Sequence, residues 1–486
     1  MQKKFLTTLF ITLGLNLLIK PIWILGIDRT FQNRLGLEEY GQYSNLFTFS
    51  IILGLLLDFG INNYNTTSLA KQKNLLQTQF IPLLLLKGIL SFLYLLLTLI
   101  LGAFYGFTSA QLSILFVLSI NQCMAYASTY FRSTLSGLQL YKTDAYISTV
   151  DRLTMVIGGS ALLFLNIFQL SITSFVYLQT IGYIVAVIVS FTCLFPQLKQ
   201  INFNFNISSI KPVFKKSLPY ATLALIMMLY TRLDVIAIKK LVKNGDIENG
   251  IYAQSTRLVD AINMLAVLVS GLLLPMFSTM MAKRQPLTPM VKLAMFILWV
   301  PAIMGVSFCY IHGNLLMQLL YNEQNPYSIK VFLITISSVI PMCMMYVFGT
   351  LLTAKGKLPI LIYTAAFGLI FNASSNYFMI PIYGAWGAAL VALCTHSLVA
   401  LLNTFFGIRV LKLSLSISHL LKYIVLFILC VVSVTVIHDN VISLLVSTVL
   451  YILASILFIV LLHLIDWRTL TQTVDYFQKQ DPLKGL

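Results

Sequence analysis

The sequence predicts an all-α, polytopic membrane protein of about fourteen transmembrane helices, and three observations carry that expectation. Hydrophobic residues fill 58% of the 486 positions, charged residues only 10%, and the mean hydropathy is +0.88. A water-soluble chain of this size would need far more charge to cover its surface, so the apolar excess must face lipid. Apolar runs of about 20 residues, enough to cross roughly 30 Å of hydrocarbon, recur along the chain. Lys and Arg gather in alternate loops, as the cytoplasmic side of a membrane requires.

The expected spans are 5–27, 44–65, 80–105, 110–132, 144–167, 173–195, 218–239, 250–280, 290–311, 328–354, 358–380, 384–408, 418–437 and 441–464. The first follows Lys3 and Lys4 and continues through Ile27 without a small-residue cleavage site, so it reads as a retained helix. With a cytoplasmic N-terminus, inner loops hold several-fold more Lys and Arg than outer ones, whereas Asp and Glu favour the outer loops. Both termini are then expected in the cytoplasm. Most of the +17 net charge is a topology signal, and no nucleic-acid partner is needed to explain it. The connection 196–217, carrying Lys199, Lys211, Lys215 and Lys216, separates six spans from eight. The expected division is a first lobe at 1–195, a linker at 196–217, a second lobe at 218–408, two further helices at 409–464 and a tail at 465–486.

The two halves echo one another. Glu39-Tyr40-Gly41-Gln42-Tyr43 and Glu248-Asn249-Gly250-Ile251-Tyr252 share the pattern Glu-x-Gly-x-Tyr, 209 positions apart. Each is followed by a long apolar helix and a basic loop, at Lys71 and Lys283. Each is preceded, about five turns earlier, by a cation: Lys20 in one half and Arg232 in the other. Repeats of six spans in the same orientation are related by an axis along the membrane normal, with substrate commonly bound between them.

At these residues the chain resembles the polysaccharide transporters, the Wzx-type flippases of lipid-linked oligosaccharides, within the superfamily that includes the multidrug and toxin extruders. The segments that carry the resemblance are GLEEYGQYS (Gly36–Ser44), LLLDFGINNYNTTSLAK (Leu55–Lys71), residues Thr231–Ser278, LLTAKGKLP (Leu351–Pro359) and NYFMIPIYGAWGAALVAL (Asn376–Leu393). The resemblance implies two six-helix lobes that alternately open a central cavity to either side of a bacterial inner membrane. It implies an undecaprenyl-pyrophosphate-linked saccharide as substrate, with other polysaccharide assembly proteins as partners and a monomer as the working unit.

Charges inside a span cost at least about 2.5–3.5 kcal/mol on insertion scales, so each needs a reason. Lys87, Arg132 and Lys292 lie within about two turns of inner span ends and are expected to snorkel to the head groups. Lys20, Arg152, Arg232 and Arg257 lie deeper and are the candidate substrate-binding cations, since a guanidinium grips phosphate oxygens bidentately. Lys20 and Arg232 are expected about two-thirds of the way to the outer face, and Arg152 in the inner half. Asp58, Asp151, Asp234 and Asp260 are the candidates for gating or ion pairing. Arg257 and Asp260 stand i, i+3. Asp58 is expected to reach Arg152, whereas Asp151 and Asp234 point away from the cations beside them in sequence. Asp58 is also a candidate for coupling to a Na⁺ or H⁺ gradient. Pro21, Pro275 and Pro341 are expected to kink their helices.

No catalytic or metal constellation stands out. The six cysteines are scattered through apolar runs and the five histidines show no ligand spacing, so neither a cofactor nor an enzyme is expected. The alternative function is an ion-coupled antiporter resembling the multidrug extruders, which would want an acidic, aromatic cavity. A membrane glycosyltransferase would want large acidic loops, which this chain lacks.

Overall fold

The computed structural model describes residues 14–16, 18–165, 170–198, 210–440 and 444–464, and every regular element among them is helical. Among the described residues, ten helices are long and apolar enough to cross a membrane. The other expected spans take different forms. Residues 18–21 are helical and lead into a π-helical segment, α1 (Ile22–Asp28), which runs on into α2 (Arg29–Gly54). The first expected span thus continues past Ile27, and most of its beginning lies outside the described residues. Pro21 heads the π segment. Having no N–H to donate, it loosens the ladder there, and the helix widens rather than kinks sharply.

Within α2 the chain turns at Gly36 (φ 81°, ψ 173°), a conformation that a Cβ would oppose. The expected second span is itself broken. After α2 come a 3₁₀ turn at Leu55–Leu57, left-handed Phe59 (φ 43°) and Gly60 (φ 75°), and then α3 (Ile61–Lys71). Next follow α4 (Leu75–Tyr105), α5 (Ser109–Gly137), α6 (Tyr141–Ile147), α7 (Val150–Leu165) and α8 (Ile172–Leu198).

The second half contains α9 (Ile210–Leu241), α10 (Gly245–Ala282), α11 (Thr288–Tyr321), α12 (Pro326–Ser337) and α13 (Val339–Ala354). The break between α12 and α13 falls just ahead of Pro341, whose ring would crowd the carbonyl four residues back. By contrast, α10 continues through position 275 as one helix. The expected eleventh and twelfth spans form α14 (Leu358–Leu411), a continuous run except at Gly384 (φ 59°, ψ −135°). The chain then forms α15 (Ile417–Asn440) and α16 (Leu444–Leu461); the latter's apolar stretch, Val446–Leu461, is short for a span.

The lipid-facing logic is plain on α4. Leu85, Ile89, Phe92, Leu93, Leu96, Ile100 and Phe104 form an exposed apolar stripe at helical spacing. The opposite face buries Phe80, Leu83, Lys87, Tyr94, Thr98 and Gly102. Small and polar groups turn inward because lipid tails offer polar atoms no partner.

Backbone contacts gather the chain into two compact units. The first comprises 1–254 with 376–385, and the second 255–375 with 386–486. The first unit therefore includes residues from both halves of the repeat, a division different from the lobes expected at 1–195 and 218–408. In it α5 packs against α2, α3, α4 and α8, while α7 packs against α8. Phe175 is the hub of a ring cluster, 4.6 Å from Phe31, 5.0 Å from Tyr43 and stacked at 5.9 Å on Trp23. In the second unit α11 packs against α12, α13 and α15. There Trp299 donates its indole N–H to the Ile340 carbonyl at 3.1 Å and meets Tyr423 edge-on.

Candidate functional site

A cavity of about 280 Å³ lies inside the first unit, between α2, α5, α6, α7 and α8. Its wall carries Arg132, Asp151 and Arg152 together with Gln122, Ser128, Thr129 and Tyr183. Two guanidiniums, a carboxylate, an amide and hydroxyls thus share one chamber whose remaining lining is apolar.

Each charged group is held in a specific way. Arg152, in the first turn of α7, has its guanidinium carbon 5.8 Å from the Trp23 ring and 6.0 Å from the Tyr183 ring. Aromatic faces attract a cation while leaving its N–H groups available for an anion. The Arg152 Nε lies 3.6 Å from Asp151 Oδ2, and an NH1 donates to the Met155 sulfur at 3.5 Å. Asp151 in turn accepts the Arg152 backbone N–H at 2.8 Å, as a carboxylate does at a helix N-terminus. Arg132 donates from Nε to Asp144 Oδ1 at 2.7 Å, and Ser136 holds the other Asp144 oxygen at 3.0 Å. Lys20, half-buried near the start of the first described helix, lies within the electrostatic reach of Arg152, Asp151 and Arg132. Arg132 and Arg152, from different helices, thus share one wall, with Lys20 within their electrostatic reach.

The structure revises several readings made from sequence. Asp58 does not pair with Arg152. Its Oδ1 accepts from Lys87 Nζ at 3.0 Å. The break in the second span presents Asp58 and the freed Leu57 carbonyl to α4, and Lys87 binds both, reaching the carbonyl at 3.1 Å. Lys87 does not snorkel; it is 5% exposed, 5.6 Å from the Tyr130 ring. Broken helices inside membranes are tolerated where such partners satisfy the backbone. Arg132 does not snorkel freely either, since it faces the cavity and pairs with Asp144. Asp151 turns back to its neighbour Arg152 rather than away from it. Lys20 and Arg152, expected at different depths, lie in one neighbourhood because the first helix continues beyond Ile27 and its centre shifts accordingly.

Asp234 has two polar partners from other segments of the first unit. It is 1% exposed on α9 and accepts from Tyr252 Oη at 2.9 Å and Asn376 Nδ2 at 2.6 Å. Arg232 is half-buried on α9 in the first unit; Arg257 and Asp260 are half-buried on α10 in the second. Sequence reading passed over two partners. Asp28, assigned to a loop, is buried and accepts from Tyr40 Oη at 2.8 Å. Glu248, in the repeat motif, accepts the Ala385 backbone N–H at 2.7 Å, just past the break at Gly384. The Asp28–Tyr40 spacing of 12 residues carried no helical signal, because the helix is kinked at Gly36 between them. Among the described residues, no group of three His, Cys, Asp or Glu side chains is placed to hold a metal ion.

Long helices with exposed apolar stripes, together with a charged cavity inside the first unit, define a polytopic membrane protein. The chain belongs to the polysaccharide biosynthesis protein family, whose profile matches residues 8–281. It is similar to an uncharacterised membrane protein of Methanocaldococcus jannaschii, 24% identical over 396 residues, 78% of this chain and 92% of that protein. Its fold resembles that of the lipid II flippase MurJ in an inward closed conformation, with a TM-score of 0.68 at 15% identity, covering 90% of this chain and 95% of that one. It also resembles an inward-facing multidrug resistance MATE transporter of the MOP superfamily, with a TM-score of 0.63 at 13% identity, covering 83% and 98%.

Proposed function

We propose that this protein is a flippase that carries an undecaprenyl-pyrophosphate-linked oligosaccharide or polysaccharide repeat unit across the bacterial inner membrane. Both termini lie in the cytoplasm, and the lobes 1–195 and 218–408 rock to expose the path alternately. The observation that carries the reading is a cavity with Arg132 and Arg152 on its wall and Lys20 within their electrostatic reach. A pyrophosphate is multiply anionic, and charge-assisted, bidentate bonds from Arg are the strong ones. Inside a low-dielectric wall such contacts weigh more than they would in water. Gln122, Ser128 and Thr129 supply donors and acceptors for sugar hydroxyls beside that grip.

No bond of the substrate is made or broken. The cations replace head-group hydration during passage, and the lipid tail remains in the bilayer. Two cations on the wall disfavour the antiporter alternative, because an organic cation entering this chamber would meet like charge. Arg232 and Arg257 are the further candidate substrate-binding cations. Na⁺ or H⁺ coupling through Asp58 is disfavoured by its engagement with Lys87.

The test is substitution of Lys20 and Arg152 by Ala in cells making a surface polysaccharide. Lipid-linked intermediates should accumulate on the cytoplasmic face while protein in the membrane stays constant. Normal surface polymer in both variants would reject the assignment. Deleting the gene and identifying which glycan disappears names the saccharide.

A further inference from the structure

The geometry points to a backbone gate at the two repeat glycines: Gly41 and Gly250 close one end of the transport path by direct helix-on-helix contact, and that contact must part in each cycle. The inference rests on the chain being a transporter and not on what it carries.

The observation is a reciprocity. A Cβ built on Gly41 would overlap the Asp246 carbonyl and come within 2.8 Å of the Gly250 nitrogen. A Cβ built on Gly250 would overlap the Leu37 carbonyl and come within 2.8 Å of the Leu37 Cα. Gly41 and Gly250 are equivalent in the repeat, 209 positions apart, and so are Leu37 and Asp246. Each glycine therefore sits on the other repeat's copy of the residue four places before it. This is the signature of a two-fold contact, in which one patch meets its own copy. All four residues belong to the first compact unit. Only glycine permits this approach, because the atoms in the way are main chain and cannot rotate aside.

Polar side chains latch the crossing. Gln32 donates to the Gly250 carbonyl at 3.4 Å, and Lys239 pairs with Asp246. Across from them, Tyr105 at the end of α4 donates to the Ile236 carbonyl at 3.0 Å, and Lys240 Nζ donates to the Tyr105 carbonyl and lies over its ring. One turn beyond the glycines stand Asn45 and Gln254, again equivalent positions. Both are buried, and Asn45 Oδ1 and Gln254 Oε1 find no partner among the described residues. Buried amide oxygens left unpaired favour a state in which they are satisfied. Opening the crossing would present both to water or to passing hydroxyl groups. The crossing itself is bare backbone and its latches are polar, a contact that suits parting and re-forming.

The test uses full-length protein in membrane vesicles of both orientations and a membrane-impermeant maleimide, with the native-cysteine background subtracted. Asn45→Cys should label slowly. Adding Gly41→Ala or Gly250→Ala should raise the rate about tenfold or more, from one side only, and lower transport. Equal labelling in variants present at normal membrane levels would overturn the gate. A second arm avoids the glycines: Tyr105→Cys with Lys240→Cys, bridged by a cleavable bifunctional thiol reagent, should stop transport and regain it on cleavage. Continued transport by the bridged protein would overturn the proposal equally. If accessibility changes as stated but no lipid-linked saccharide is moved, the gate stands and the substrate assignment fails.

Discussion

Lys87 and Arg152 are both cations set within helices of the same unit, yet their surroundings differ in kind. Lys87 is enclosed, with Asp58 at 3.0 Å, the Leu57 carbonyl at 3.1 Å and a Tyr130 ring beneath it. Arg152 faces a cavity, rests on Trp23 and Tyr183, and has its nearest carboxylate, Asp151, at 3.6 Å. One charge repairs a broken helix; the other is presented to whatever enters the chamber. The difference shows that depth in the membrane does not assign a role to a charge. What assigns it is whether its hydrogen-bonding capacity is already used.

The comparison can be broken at several points. The largest effect is expected from Lys87→Ala, which strands Asp58 and the Leu57 carbonyl in apolar surroundings. Breaking a buried pair from one side costs about 3–5 kcal/mol, so thermal unfolding in detergent should shift down markedly and membrane levels should fall. Lys87→Met combined with Asp58→Asn should recover much of that loss; no recovery would show that the pair does more than stabilise. Next comes Arg152→Ala. Loss of charge-assisted bonds worth about 1.5–3 kcal/mol should reduce transport roughly ten- to a hundred-fold with unfolding little changed. Arg152→Lys should recover only part, since an ammonium cannot match the planar fork. A fall in stability equal to that of Lys87→Ala would erase the distinction.

Smaller effects sharpen it. Asp144→Asn leaves Arg132 at the cavity without its ion partner, and because the pair is partly exposed the stability change should stay within about 1 kcal/mol. Its informative readout is substrate affinity, which should rise as Arg132 is freed; unchanged affinity would remove Arg132 from the site. Trp23→Leu keeps apolar bulk but removes a ring under Arg152. A cation–π contact is worth about 0.5–2 kcal/mol, so transport should drop several-fold at most, and less than in Arg152→Ala.

The transmembrane character and the helical class were legible because lipid imposes long apolar runs that no local accident mimics. The repeat was legible too, and Gly41 and Gly250 show why a weak motif was worth noting: the same pattern recurs because the same backbone contact is made twice. Its other members diverge. Glu248 holds the Ala385 N–H whereas Glu39 is exposed, and Tyr252 bonds Asp234 whereas Tyr43 accepts from Gln179. The break at Asp58-Phe59-Gly60 was less visible, because Leu55, Leu56 and Leu57 before it and Ile61 after it let the apolar run read as continuous. Missing it led to the wrong partner for Asp58 and the wrong fate for Lys87.

By itself the sequence determined that this chain lives in a membrane, that it is helical, that its halves are copies and that a handful of charges stay inside. Those properties follow from composition and period, which are sums over many residues. Only the tertiary structure decided which charge meets which. Arg132 and Arg152 lie on different helices, and their meeting at one cavity depends on the packing of α5 and α7 against α8. Pairing across a bundle is set by rotations and offsets of a few ångströms, and no local pattern along the chain encodes them.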